Sequence, residues 1–227
     1  MIPIGDTNVR GARPGYVTIV LIIINVLVFL YEITLSVPEL NNLFEQYAVQ
    51  PSEIMQGQDF LTLLTSMFLH GGWLHLISNM LFLWVFGDNI EVTLGHFLYL
   101  VFYLAGGLAA SAAHIFFNPG STVPSLGASG AIAAVLGAYI VMFPRSQVKV
   151  LYFLGFYFGI TRISALLFLG FWAITQFFTG IASLGAPTAQ TGGVAVWAHI
   201  GGFVLGLIVG FLLRDRAARL DFQTRQT

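Results

Sequence analysis

The stretch VAVWAHIGGFVLGLIVGFLL, residues 194–213, carries no charged side chain and is long enough to cross the hydrocarbon core of a bilayer as one helix. The chain around it has 227 residues, of which 57% are hydrophobic and 8% are charged. An ordinary soluble domain has about 25% charged residues. This composition excludes a soluble globular domain and indicates a polytopic membrane protein.

Five further apolar runs predict that the fold is an all-α bundle of six transmembrane helices. The predicted spans are residues 16–35, 73–86, 97–117, 127–143, 163–181 and 194–213. They form one membrane domain, 16–213, between a short N-terminal tail, 1–15, and a basic C-terminal tail, 214–227. The long first loop, 36–72, has an apolar end that we expect to lie against the membrane surface. The apolar piece 148–160 is predicted to be either an interfacial loop or a hairpin.

The distribution of charge predicts the orientation of the bundle. All nine cations fall in the N-terminal tail, the fourth loop or the C-terminal tail, which a six-span topology puts on one side. By the positive-inside rule this side is cytoplasmic, so both termini lie inside, in a cell (inner) membrane. The formal net charge of -1 does not favour nucleic acid as a partner. The absence of cysteine excludes disulfides, cysteine-ligated zinc and thiol nucleophiles.

A few polar side chains interrupt the predicted spans, and each is a candidate functional residue because lipid does not solvate it. The candidates are His75, Asn79, Ser129 and His199, followed by His114 and Gln176. The first four lie near the outer ends of the second, fourth and sixth spans. We therefore expect three helices to bring them to one layer of the membrane.

Small residues suggest how Ser129 and His199 would meet. Ser129 begins a stripe with Ala133 and Gly137, and His199 begins a glycine stripe in the sixth span. Stripes of this kind let helix backbones approach closely. A hydroxyl beside an imidazole is the arrangement of an activated nucleophile with its general base. Because the sequence has no Asp or Glu between Glu91 and Asp215, we predict a dyad, and the residue that orients the imidazole stays unidentified.

His75 and Asn79 are four residues apart and share one face of a helix. They are interpreted either as partners in an interhelical hydrogen bond or as donors to a developing oxyanion, and their depth favours the oxyanion role. Phe168, Phe171 and Trp172 are candidates for a lateral substrate gate, although a lipid-facing stripe explains them equally well. Gly192 and Gly193 lie in a fifth loop that is a candidate cap over the site.

Taken together, these residues make the chain resemble the rhomboid intramembrane serine proteases. The matching stretches are LLTSMFLHGGWLH (63–75) with Asn79, FGDNIE (86–91) with Gly95, GASG (127–130) and AHIGG (198–202). Some members of that family place a tyrosine one turn after the nucleophile, where this chain has Ala133. Many bacterial members also carry a Trp-Arg pair in the first loop, which this sequence lacks.

The resemblance implies a six-helix rhomboid-like bundle that hydrolyses peptide bonds in or near the transmembrane segments of membrane-protein substrates. It implies Ser129 as nucleophile, His199 as base, and an oxyanion hole formed by His75, Asn79 and the Ser129 backbone amide. Membrane lipids would be further partners, no cofactor is implied, and the oligomeric state is not indicated.

Two alternatives stay open. One is a catalytically inactive rhomboid-like scaffold that binds transmembrane clients. The other is a transporter with a histidine-bound metal, because His70, His75, His114 and His199 all lie toward the outer side.

Overall fold

The computed structural model describes residues 1–6, 15–183 and 196–224, without the side chains of residues 154 and 219–224. Nine helices make up most of this part of the chain. They are α1 (Tyr16–Glu32), α2 (Val37–Tyr47), α3 (Pro51–Met55), α4 (Thr62–Thr65), α5 (Trp73–Leu94), α6 (His96–Phe117), α7 (Ser129–Met142), α8 (Ala165–Ser183) and α9 (Val196–Thr224). A 3₁₀ turn, Ser66–Phe68, follows α4. The three strands are β1 (Ile2–Gly5), β2 (Gln147–Leu154) and β3 (Tyr157–Ser164).

Each of the six predicted spans contains a helix, but the helices differ in length, and the fifth begins at Ala165 because Ile163 and Ser164 are the last residues of β3. Among the described residues, α6, α8 and the Val196–Ala218 part of α9 are long and apolar enough to cross a membrane. A fourth candidate is the pair Thr62–Phe68 and Trp73–Leu94, which bends by 94° at its break. Helices α1 and α7 are shorter apolar helices. The structure therefore supports three to four spans by length and composition, and the count of six stays a prediction.

Two helices extend beyond the predicted boundaries. Helix α5 continues to Leu94 instead of ending at Phe86, because the polar residues that close the apolar run are bonded within the protein. One of them, Glu91, accepts hydrogen bonds from the backbone amides of Val17 and Thr18 at the first turn of α1. Helix α9 runs past the predicted boundary at Leu213 to Thr224.

Helix α7 lies at the centre of the bundle and packs closely on α9. A Cβ added at Gly202 would overlap the carbonyl oxygen of Gly130, and one at Gly206 would overlap that of Ala134. The two backbones are therefore in direct contact, as the small residues predicted. The contact face of α7 includes Gly137 of the predicted stripe, where an added Cβ would overlap the carbonyl oxygen of Phe203, together with Gly130 and Ala134.

A three-stranded antiparallel sheet departs from the all-α expectation. Strands β2 and β3 form a hairpin, so the hairpin alternative for residues 148–160 is confirmed. Strand β1, from the predicted N-terminal tail, pairs with β2 and gives the order β1-β2-β3. Asp6 follows β1 and accepts hydrogen bonds from Tyr139 Oη and Asn89 Nδ2. The sheet is thus attached to the end of the bundle at which α7 ends.

Candidate active site

Ser129 is the first residue of α7, and glycine places it there. Gly127 has a φ of 125°, a conformation that L side chains rarely adopt. Its amide donates to the carbonyl oxygen of Ser66 at 2.8 Å. A Cβ on Gly127 would lie 2.7 Å from Nε2 of His75, so only glycine lets this segment lie against α5. Because α7 begins at Ser129, its first backbone amides have no partner within the helix.

His199 lies opposite Ser129 on α9. Its Nε2 is 2.8 Å from Oγ of Ser129, which is hydrogen-bond distance for a hydroxyl and an imidazole nitrogen. The close approach of α7 and α9 makes this distance possible, because glycine backbones leave no side chains between the two helices. The structure therefore brings together the pair that sequence reasoning selected.

Gln176 on α8 is the residue that orients the His199 ring. Its Oε1 lies 2.7 Å from Nδ1 of His199. An amide oxygen only accepts hydrogen bonds, so Nδ1 carries the proton and Nε2 is left to accept the Ser129 hydroxyl. The Trp172 ring lies beside the imidazole, with ring centroids 5.9 Å apart. Gln176 was a candidate because it is a polar residue within a predicted span. Nothing in the sequence showed that its side chain contacts His199.

His75 and Asn79 line the same cavity as Ser129 and His199. The cavity has a volume of about 730 Å³. Nδ2 of Asn79 lies 3.1 Å from Nε2 of His70, and the His70 amide donates to Oε1 of Glu32 at 3.1 Å. The sequence analysis named His70 only as a candidate ligand in the metal-transporter alternative. In the structure it is buried and holds Asn79 in place.

No carboxylate contacts His199 in the described part of the chain. Glu32, which approaches the site from the end of α1, is buried and bonds to the His70 amide instead. Among the described residues, no three His, Asp or Glu side chains converge in a way that could hold a metal ion. The arrangement is thus a serine–histidine pair with a neutral amide behind the base.

The three candidate gate residues lie in different environments. Trp172 lines the cavity. Phe168 stacks on Phe82 and Phe86 of α5, with centroids 6.3 and 6.5 Å apart. Phe171 is 70% exposed and is not among the described residues that line the cavity. Gly192 and Gly193, the candidate cap, lie outside the described residues.

A second, small cavity of about 30 Å³ reaches Ser129 from the side of α6. Its polar lining includes Ser66, Ser111 and His114. This volume is enough for one water molecule, and such a molecule would find polar partners there. His114 thus lies near the nucleophile without bonding to it.

Comparison with known proteins gives a consistent result. A family model described as "Rhomboid domain" matches residues 57–216. The chain is 31% identical over 215 residues to "Rhomboid protease GluP" of Bacillus subtilis, covering 89% of this chain and 41% of that protein. It is 28% identical over 158 residues to "Rhomboid protein 1, mitochondrial" of Saccharomyces cerevisiae, covering 67% of this chain and 42% of that protein. The chain thus spans less than half the length of both relatives.

Proposed function

The chain belongs to the rhomboid family, and from the geometry of its site we propose that it is a serine endopeptidase that cleaves membrane-protein substrates in or near their transmembrane segments. One observation carries the proposal, namely the 2.8 Å contact between Oγ of Ser129 and Nε2 of His199 at the wall of a cavity between membrane helices. A scaffold that only binds clients has no need of an aligned nucleophile and base.

The first chemical step uses the tautomer that Gln176 selects. Nε2 of His199 takes the proton of the Ser129 hydroxyl while Oγ attacks the carbonyl carbon of the scissile peptide bond. The resulting imidazolium donates its Nδ1–H to Oε1 of Gln176, 2.7 Å away. It then returns the other proton to the leaving amine, and an acyl-enzyme on Ser129 remains for water to hydrolyse.

The oxyanion of the tetrahedral intermediate would be stabilised from two sides. His75 and Asn79 supply side-chain donors from α5, and the Ser129 amide supplies a backbone donor at the first turn of α7. The positive end of the α7 dipole acts in the same direction. His70 keeps the Asn79 amide in position, so the donor is preorganised before substrate arrives.

The two cavities suggest how substrate and the hydrolytic water would reach Ser129. A transmembrane segment would enter past Trp172 and Phe168 on α8, and it must unwind locally before its carbonyl can reach Ser129. The small cavity beside His114 offers a place for the hydrolytic water.

We place both termini of the protein on the cytoplasmic side of a cell membrane and the site toward the outer face, because the cations lie on one side of the topology.

The test is covalent labelling of the purified protein with a fluorophosphonate. We expect label at Ser129, and no cleavage of a model transmembrane substrate by Ser129→Ala or His199→Ala. Ser183→Ala is the matched control, because that hydroxyl bonds to the carbonyl oxygen of Gly180 in its own helix. A Ser129→Ala variant that still cleaves the substrate refutes the mechanism, and unlabelled protein that binds but never cleaves substrate indicates the scaffold.

A further inference from the structure

The β2–β3 hairpin presents a face that the catalytic site does not use. The register pairs Lys149 with Arg162, Leu151 with Ile160, and Phe153 with Phe158. Because side chains alternate along a strand, these three pairs lie on one side of the hairpin, here called the hairpin face. The opposite side is packed on the protein, where Val148 and Val150 are fully buried.

The distal half of the hairpin face is apolar and exposed. Ile160 is 64% exposed and Phe158 is 74% exposed. Two more exposed aromatic side chains lie at the tip, Phe156 in the turn at 100% and Tyr157, the first residue of β3, at 80% exposure. Contiguous exposed apolar groups mark an interaction surface, and phenylalanine on such a face is typical of segments that enter the membrane interface beside cationic residues.

The proximal half of the hairpin face is cationic. Lys149 and Arg162 are directly opposite each other and both exposed, and like charges in this relation repel. No ion pair is formed by either residue within the part of the chain that the structure describes. An anion between the two side chains would remove the repulsion.

The position of the hairpin shows which anion is available. β3 runs directly into α8, where Leu166 and Leu167 are 54% and 66% exposed, as expected for side chains that face lipid. Phe153 lies four residues from Lys149, which is about 13 Å along the strand. A tilted hairpin can therefore hold its cations among lipid phosphates while its aromatic tip reaches the acyl boundary.

We propose that the hairpin face binds anionic phospholipids in the leaflet at which α7 ends and α8 begins, with Lys149 and Arg162 on the phosphates and the Phe156 tip in the membrane interface. The surface lies at the base of α8, the helix that carries Gln176 and Trp172. Lipid bound there would hold the base of that helix. The inference needs no catalytic activity and stands independently of the proposed function.

The chain has no cysteine, so single-cysteine labelling tests the proposal directly. Phe156→Cys is labelled with bimane and reconstituted in phosphatidylcholine vesicles that contain trace spin-labelled phosphatidylglycerol or, separately, spin-labelled phosphatidylcholine. Gly120→Cys is the control, because this residue lies in an exposed loop between α6 and α7 with open space around its Cα. We expect blue-shifted emission at position 156 only, and quenching by the anionic lipid about fivefold stronger than by the zwitterionic one at low salt.

The charge requirement is tested in the same label background. Lys149→Gln with Arg162→Gln should reduce the quenching ratio to one, whereas Arg145→Gln, outside the strands, should leave it unchanged. Water-like emission from position 156 in both membranes overturns the proposal. Equal quenching by the two lipids in the protein that keeps Lys149 and Arg162 overturns it as well. A blue shift at position 156 that appears only when a peptide substrate is added also overturns it.

Discussion

Gln176 offers the sharpest test of how the site operates, because its contribution depends on the charge of His199. Gln176→Met keeps the length of the side chain and removes the oxygen that lies 2.7 Å from Nδ1. The same hydrogen bond exists before and during the reaction, but only in the transition state does its donor carry a positive charge. The variant should therefore lose more stabilisation in the transition state than in the resting enzyme.

The size of the effect follows from the strength of the two kinds of hydrogen bond. A bond between neutral groups contributes about 0.5–1.5 kcal/mol, and a bond to a charged group about 1.5–3 kcal/mol. The difference, about 1–1.5 kcal/mol, corresponds to a rate factor of about 5 to 13. We expect kcat to fall by this factor while KM stays unchanged, because Gln176 is not among the described residues that line the cavity beside Ser129.

The assay is steady-state cleavage of a fluorogenic transmembrane substrate in proteoliposomes, with the rate of fluorophosphonate labelling as a second measurement. Gln176→Glu keeps an acceptor oxygen and should recover most of the lost rate. Thr179→Val is the matched control on α8, because the Thr179 hydroxyl bonds to the Thr175 carbonyl oxygen of its own helix. The reasoning is refuted if Gln176→Met retains full kcat, or if Gln176→Glu is no better than Gln176→Met.

Two further predictions concern the fold. Gly202→Val should lower the thermal unfolding temperature strongly, because overpacking costs about 1–3 kcal/mol or more and the new Cβ would overlap the Gly130 carbonyl oxygen. Gly120→Val, with open space around it, should have little effect, and equal melting curves for the two variants would contradict the packing described here. Burial raises the pKa of Asp6 from 3.8 to about 6, against the opposing effect of the Tyr139 hydrogen bond. Because the folded-state pKa is the higher one, the contribution of protonated Asp6 to stability is present below pH about 4 and is lost as the pH rises through about 6. The asparagine in Asp6→Asn stays neutral at every pH. The melting temperature of this variant minus that of the unmodified protein should therefore increase between pH 4 and pH 7. A constant difference would show that Asp6 does not titrate in this range.

The pairing of Ser129 with His199 was accessible to sequence reasoning, because each of these residues begins a stripe of small residues. In the structure, Gly137 of the predicted α7 stripe lies against α9, and Gly130 and Ala134 belong to the same contact. Ser129 lies beside this contact at the helix start, where its hydroxyl reaches the imidazole. The pattern of small residues did not show that Gly130 and Ala134 also face α9, because this depends on how α7 is rotated about its axis.

The N-terminal strand was not predicted, and the reason is its length. Strand β1 has four residues, too few for hydrophobic periodicity to identify. Its partner β2 lies far along the chain, with Ile2 opposite Leu151. A pairing between segments this far apart in the chain leaves no local signal in the sequence.

The sequence by itself determined that this protein is a membrane protein of the rhomboid family and which serine and histidine form its candidate dyad. These conclusions depend on composition, the apolar run lengths and short motifs, all of which are properties of contiguous residues. Only the tertiary structure decided that Gln176 orients His199, that His70 holds Asn79, and that Asp6 bonds to Tyr139. Each of these contacts depends on how a helix or a chain terminus is rotated and placed against its neighbours. Packing between distant segments sets that rotation, and no local pattern of residues records it.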